Sequence, residues 1–198
     1  MLTIGAACAP IRTEGAAEMA VKQIHHVAYR CRDAAETVKF YNGLLGMKYT
    51  MAISEDRVPS TKEPDPYMHI FFDAGKGSCL AFFEVPASPP MSRDPNTPSW
   101  VQHIAFEVKD LATLRRWKKK LEKNGVEMLG PTDHQFIESI YFFDPNGHRL
   151  ELTAKKGGKA MLKKLERMAP KMLRDWSKSK RTVRHAAFLH AKGFERPR

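Results

Sequence analysis

His26 and His103 stand at equivalent places in two look-alike stretches of this 198-residue chain, Gln23 to Ala35 and Trp100 to Ala112, at a constant offset of 77. A histidine opening an inward-facing strand in each of two repeated modules is placed to meet its twin, and two converging imidazoles make half of a metal site. Either histidine alone would read as a satisfied core residue; their equivalence under the repeat favours ligands. Glu151 adds a carboxylate, because it interrupts the apolar run Leu150-Glu151-Leu152, where a charge is costly unless paired or bound to a metal. Two imidazoles and one carboxylate form the facial triad of non-haem Fe(II) oxygenases, which leaves coordination positions for substrate and O2. A fourth protein ligand would point instead to redox-neutral Lewis-acid chemistry. The first-module counterpart of Glu151 is therefore decisive: ungapped alignment of Leu80-Ala81-Phe82 on Leu150-Glu151-Leu152 favours Ala81, and a shift of three residues offers Glu84.

The elements that must position these residues repeat as well. Ile70-Phe71-Phe72-Asp73 reappears as Tyr141-Phe142-Phe143-Asp144, each followed by a glycine-containing turn and another apolar strand. Asp33-x-x-Glu36 is a capping-box pattern before an apolar series stopping at Gly46. Asp110 does the same for Leu111, Leu114, Trp117 and Leu121, at helical spacing before Gly125. Each half thus predicts β-α-β-β-β. The fold class is α+β: two βαβββ modules, residues 21–86 and 99–154, forming a cupped mixed sheet around a metal site. Residues 87–98 form a proline-rich bridge, Ile53 to Pro66 reads as a loop, and residues 155–198 form a basic, helical extension. Asp144-Pro145-Asn146-Gly147 reads as a hairpin turn.

With 42% hydrophobic residues the chain can bury one good core or two small fused ones. No apolar run approaches the roughly 20 residues that span a bilayer. Cys8, Cys31 and Cys79 are too few and too scattered for a disulfide framework or zinc knuckle, which fits a reducing cytoplasm. Met1 to Glu18 lacks a basic segment ahead of its small apolar residues, so a secretory signal is not indicated, and residues 1–20 are expected to be disordered. The net charge of +11 is confined to the extension: 15 Lys+Arg against 3 Asp+Glu after Ala154, and 18 against 19 elsewhere. Its stripe of Met161, Leu165, Met168, Met172 and Trp176 predicts an amphipathic helix kinked near Pro170. Packing on the core or across a homodimer is favoured over contact with nucleic acid or an anionic membrane.

On these residues the chain resembles the vicinal oxygen chelate superfamily, which includes glyoxalase I, methylmalonyl-CoA epimerase, fosfomycin and bleomycin resistance proteins and type I extradiol dioxygenases. The resemblance covers about Val21 to Ala154. Within it, Thr132-x-His134-x5-Ile140-Tyr141-x2-Asp144-Pro145-x-Gly147-x3-Glu151 matches the extradiol ring-cleavage signature. The resemblance implies His26, His103 and Glu151 as metal ligands, His134 as acid/base, and Tyr141 as a hydrogen-bond donor to the bound substrate. It further implies Fe(II), O2 and a catechol-like aromatic diol. The alternatives are a glyoxalase- or epimerase-like lyase or isomerase on Ni, Co, Zn or Mn, with Glu84 as fourth ligand, and a resistance-type protein binding a small molecule. One departure stands out: ring-cleaving members carry a further histidine where this chain has Gly77-Ser78-Cys79, with His69 a substitute. His25 is given no role and His148 is expected in solvent. In this family the cup forms within one chain or between subunits, and the sequence leaves that open.

Overall fold

The computed structural model describes residues 21–181; the expected disorder of residues 1–20, and the tail beyond Arg181, lie outside them. The first module runs β1 (His26–Cys31), α1 (Ala34–Val38) passing into a π-helical stretch (Lys39–Leu44), β2 (Tyr49–Arg57), β3 (Pro64–Gly75) and β4 (Ser78–Glu84). The second runs β5 (His103–Glu107), α2 (Leu111–Lys123), β6 (Met128–Asp133), β7 (Ile137–Phe143) and β8 (Arg149–Lys155). Both give the βαβββ order that the repeat predicts, and α3 (Lys159–Ser179) follows. The sheets share one topology, β1-β4-β3-β2 and β5-β8-β7-β6, with the first pair of each parallel and the rest antiparallel.

The caps form as expected. Asp33 accepts from the Glu36 N–H at 2.7 Å, and Asp110 accepts from the Thr113 N–H at 2.7 Å.

The segment from Ile53 to Pro66 departs from the loop reading, because Ile53–Arg57 belongs to β2 and Pro64 and Pro66 belong to β3. Composition misled here for a physical reason. β3 overhangs β4, whose ladder ends at Glu84 opposite Met68, so these prolines sit where only β2 lies alongside.

Strand alternation sorts the side chains into two sets. Ile70, Phe72, Leu80 and Phe82 of the first sheet join Ile140, Phe142, Leu150 and Leu152 of the second in one buried cluster with Phe40, Tyr41, Leu114 and Leu121. Tyr41 lies 5.3 Å from the Phe72 ring and 4.9 Å from Phe82, and Phe40 lies 6.5 Å from Phe142. Full burial of each such side chain stabilises by about 1.5–3 kcal/mol. The intervening residues, including His26, His69, Phe71 and Ala81 on one sheet and His103, Tyr141 and Glu151 on the other, occupy the opposite faces, turned away from this shared core.

Asp144 and Asn146, read as turn residues, also tie the modules together. The buried Asp144 carboxylate accepts from the Tyr41 hydroxyl at 3.0 Å, from Asn146 Nδ2 at 3.0 Å and from the His148 N–H at 2.7 Å. Asn146 also accepts from the Arg32 N–H at 2.9 Å and donates to Thr37 Oγ1 at 3.1 Å. His148, expected in solvent, is half-buried and its Nε2 donates to the Arg30 carbonyl at 2.7 Å.

In α3 the predicted apolar stripe forms, and the helix continues through Pro170. Pro170 leaves the carbonyl of the exposed Glu166 without the donor a helix usually gives it. No residue of α3 is buried, and Trp176 at the end of the stripe is 46% exposed. Met161, Leu165, Met168 and Met172 are half-buried, and none of them is among the core residues or those packed against the core. No helix of the described residues is long and apolar enough to cross a membrane.

Candidate metal and proton-transfer site

The outward face of the second sheet gathers four of the five candidate residues. His103 opens β5, and two residues on Ala105 pairs with Glu151 of β8, so the imidazole reaches across to the carboxylate. His103 Nε2 lies 3.1 Å from Glu151 Oε2, while its Nδ1 lies 3.0 Å from the Val101 carbonyl. A carbonyl only accepts, so Nδ1 carries the proton and the Nε2 lone pair faces a carboxylate that is 4% exposed. Two electron-rich atoms at that distance require a second proton on the ring or a shared cation. Carboxylate and oriented imidazole suit a divalent metal, and the backbone carbonyl behind the ring is the usual outer partner of a ligating histidine.

Tyr141 pairs with Glu151 across the β7–β8 ladder and lies on the same face, its ring 6.1 Å from that of His103. Its hydroxyl lies 2.8 Å from His134 Nε2. Burial, and then the Glu151 charge, raise the Tyr141 pKa above its ordinary value, which keeps the phenol a donor at neutral pH. His134 is delivered by a bulge between Leu129 and Thr132 of β6. A Cβ at Gly130 within that bulge would stand 2.6 Å from the Ser139 carbonyl, at a φ of 105°, so glycine is required there. Arg149 went unnoticed in the sequence. Its guanidinium lies 4.4 Å from the centre of the Tyr141 ring, and the only hint was its position two residues before Glu151, on the same strand face.

His26 lies apart from this group. Its Nδ1 is 2.8 Å from His25 Nδ1, and its ring lies 6.5 Å from His69 and 6.0 Å from Phe71. The reading that left His25 without a role missed this contact, since His25 precedes β1 and escapes strand alternation. Among the described residues no three His, Cys, Asp or Glu side chains of one chain converge on a metal position. His69 is 9% exposed, stacked 3.5 Å from the Phe83 ring, and its Nε2 has no hydrogen-bond partner. Burial, and then the nearby His26, lower its pKa.

The strand register bears on the fourth corner. His26 pairs with Cys79 and Ala28 with Ala81, as His103 pairs with Arg149 and Ala105 with Glu151, so the counterpart of Glu151 is Ala81. Glu84 pairs with Cys31 at the far end of β1, and its Oε2 accepts from the Ala34 N–H at 2.7 Å, serving the start of α1.

Residues 23–152 match the family model described as Glyoxalase/Bleomycin resistance protein/Dioxygenase superfamily. The chain is 32% identical over 145 residues to the putative ring-cleaving dioxygenase MhqA of Bacillus subtilis, covering 71% of this chain but only 43% of that protein. It is 30% identical over 134 residues to the metallothiol transferase FosB of Staphylococcus saprophyticus, covering 67% and 76% respectively. Among solved structures, a glyoxalase/dioxygenase from Nostoc punctiforme superposes with a TM-score of 0.52 at 22% identity, over 78% of this chain and 100% of that one, a likeness of fold alone.

Proposed function

Since the chain belongs to the glyoxalase/bleomycin resistance protein/dioxygenase superfamily, we propose that it is a metal-dependent enzyme that cleaves a catechol-like aromatic diol with O2, in the extradiol manner. The observation that carries this reading is the pairing, on one sheet face, of His103 and Glu151 at 3.1 Å with His134 and Tyr141 at 2.8 Å. A donor set alone would serve any superfamily chemistry. An imidazole coupled to a phenol beside it supplies the proton traffic that ring cleavage needs.

His103 and Glu151 hold the metal, with His26 as third ligand from a second copy of the chain in a homodimer. Supporting the shared site are the outward faces that carry the ligands, the shared core between the sheets, and the lack, among the described residues, of a third ligand beside His103 and Glu151 in one chain. An isologous dimer completes two such sites by symmetry. Fe(II), when bound, supplies the Lewis acidity that acidifies the diol and the redox partner for O2. Tyr141, held protonated, donates to a substrate oxygen and orients the ring. His134 takes the proton that the second hydroxyl releases and returns it later. Ala81 at the fourth corner and Glu84 engaged at α1 support three protein ligands over the four-ligand glyoxalase-like reading.

The test is oxygen uptake by anaerobically Fe(II)-loaded protein against a panel of catechols, with detection of a yellow ring-opened product. Stoichiometric O2 consumption with that product is expected. Bound metal with no O2 uptake across the panel overturns the reading. Thiol addition to a small electrophile under those conditions would identify a transferase of the kind named for FosB.

A further inference from the structure

A cavity of about 320 Å³ lies where the two modules meet the proline-rich bridge, and His103 is one of its walls. Arg32 of the first module, Arg93 of the bridge and Arg149 of the second module all line it. Each guanidinium is held by one or two oriented contacts. Arg32 Nη1 donates to the Pro145 carbonyl at 3.2 Å, Arg93 Nη2 donates to the Gly147 carbonyl at 3.0 Å, and Arg149 stacks on Tyr141. Arg93 also lies over the Phe143 ring at 4.4 Å.

None of the three forms an ion pair among the described residues. Among the described residues the only carboxylate in the lining is Asp94, which is taken up locally by the Thr97 hydroxyl and by the Asn96 N–H at 2.9 Å. Three pre-oriented cations in a concave, partly enclosed space focus positive potential there. Each retains N–H donors in a planar fork that matches a carboxylate or phosphoryl group.

We propose that this cavity binds the anionic arm, carboxylate or phosphoryl, of the substrate whose diol end reaches the metal beside His103. The proposal rests on the ring-cleavage reading for the diol end, and on the cavity alone for the anion. It makes the substrate an anionic aromatic diol rather than catechol itself. Arg93 and Arg32 are the recognition residues.

The anion is tested without turnover: inorganic phosphate is titrated calorimetrically into the 198-residue chain without added metal. Saturable binding is expected, weakened about tenfold in Arg93→Gln and independently in Arg32→Gln, a loss of about 1.4 kcal/mol in each. Arg93→Lys should recover part of it as a point charge. With Fe(II) loaded, Arg93→Gln should raise the ratio of KM for 3,4-dihydroxybenzoate to KM for catechol about tenfold. No saturable phosphate binding, or binding as tight in both glutamine variants as in the wild type, overturns the proposal. Phosphate binding with no turnover of any diol would sink the ring-cleavage reading and the diol end while the anion site stands. Turnover insensitive to Arg93 would do the reverse.

Discussion

The two modules have the same topology and differ in what their outward faces carry. On the second, Glu151, His103, His134 and Tyr141 form two polar contacts within a few ångströms. On the first, the position of Glu151 is the fully buried Ala81, and His26 looks across Phe71 to a His69 packed against Phe83. One face supplies charge and proton carriers, the other an imidazole in an aromatic wall. A duplicated fold thus keeps its backbone geometry while its two copies specialise, because alternation lets the outward set change without touching the inward core.

The widest difference between the faces is that His26 is useless to its own chain in the shared-site reading. Glu151→Ala and His103→Ala should abolish metal binding and lower turnover by about 10³-fold or more, the several kcal/mol that a metal supplies. His26→Ala should do the same although it lies in the other module. Mixing inactive His26→Ala with inactive Glu151→Ala chains and letting them exchange should restore about a quarter of wild-type activity, since half the dimers are mixed and each holds one intact site. A cup closed within one chain would give no restoration, and the difference between the modules would then be only local.

His134→Ala tests the proton-carrying half of the second face. Metal content should be unchanged while turnover falls by about 10²–10⁴-fold, the usual contribution of a positioned acid/base. Retained activity would leave Tyr141 without its proposed partner.

The repeat made the fold legible, because a βαβββ order written twice, with Asp33 and Asp110 as caps, leaves little freedom in topology. The equivalent positions of His26 and His103 at the starts of β1 and β5 were legible for the same reason. Two things were not. Strand alternation tells which residues share a face, but not which way two faces turn relative to each other, so the distance of His26 from His103 lay beyond the sequence. The Asp144-Asn146 turn was also opaque, since its partners Tyr41, Thr37 and Arg32 are about a hundred residues away in the chain.

That turn offers the next comparison. Asp144 is buried and accepts three hydrogen bonds, whereas its repeat counterpart Asp73 is exposed and accepts from the Gly75 N–H alone. Asp144→Ala strands the Tyr41 hydroxyl and the Asn146 amide in the core, at a cost of about 3 kcal/mol. Asp73→Ala should stay within about 0.5 kcal/mol of wild type. Urea denaturation of the pair checks both values, and equal losses would mean that the second turn does not tie the modules together.

The smallest effect is the most diagnostic for chemistry. Glu84 is the only first-module carboxylate the alignment offered as a fourth ligand, yet its contact is to the Ala34 N–H at the start of α1, five strand positions from His26. A carboxylate there meets an orphan donor at a helix start, a contribution of about 1 kcal/mol. Glu84→Ala should therefore lower stability by about that amount and leave metal stoichiometry untouched. Glu84→Gln, which keeps an acceptor oxygen, should recover most of the stability. Loss of metal in both variants, with folding intact, would mean that the first module contributes charge after all and that the modules are less unlike than their strand register makes them.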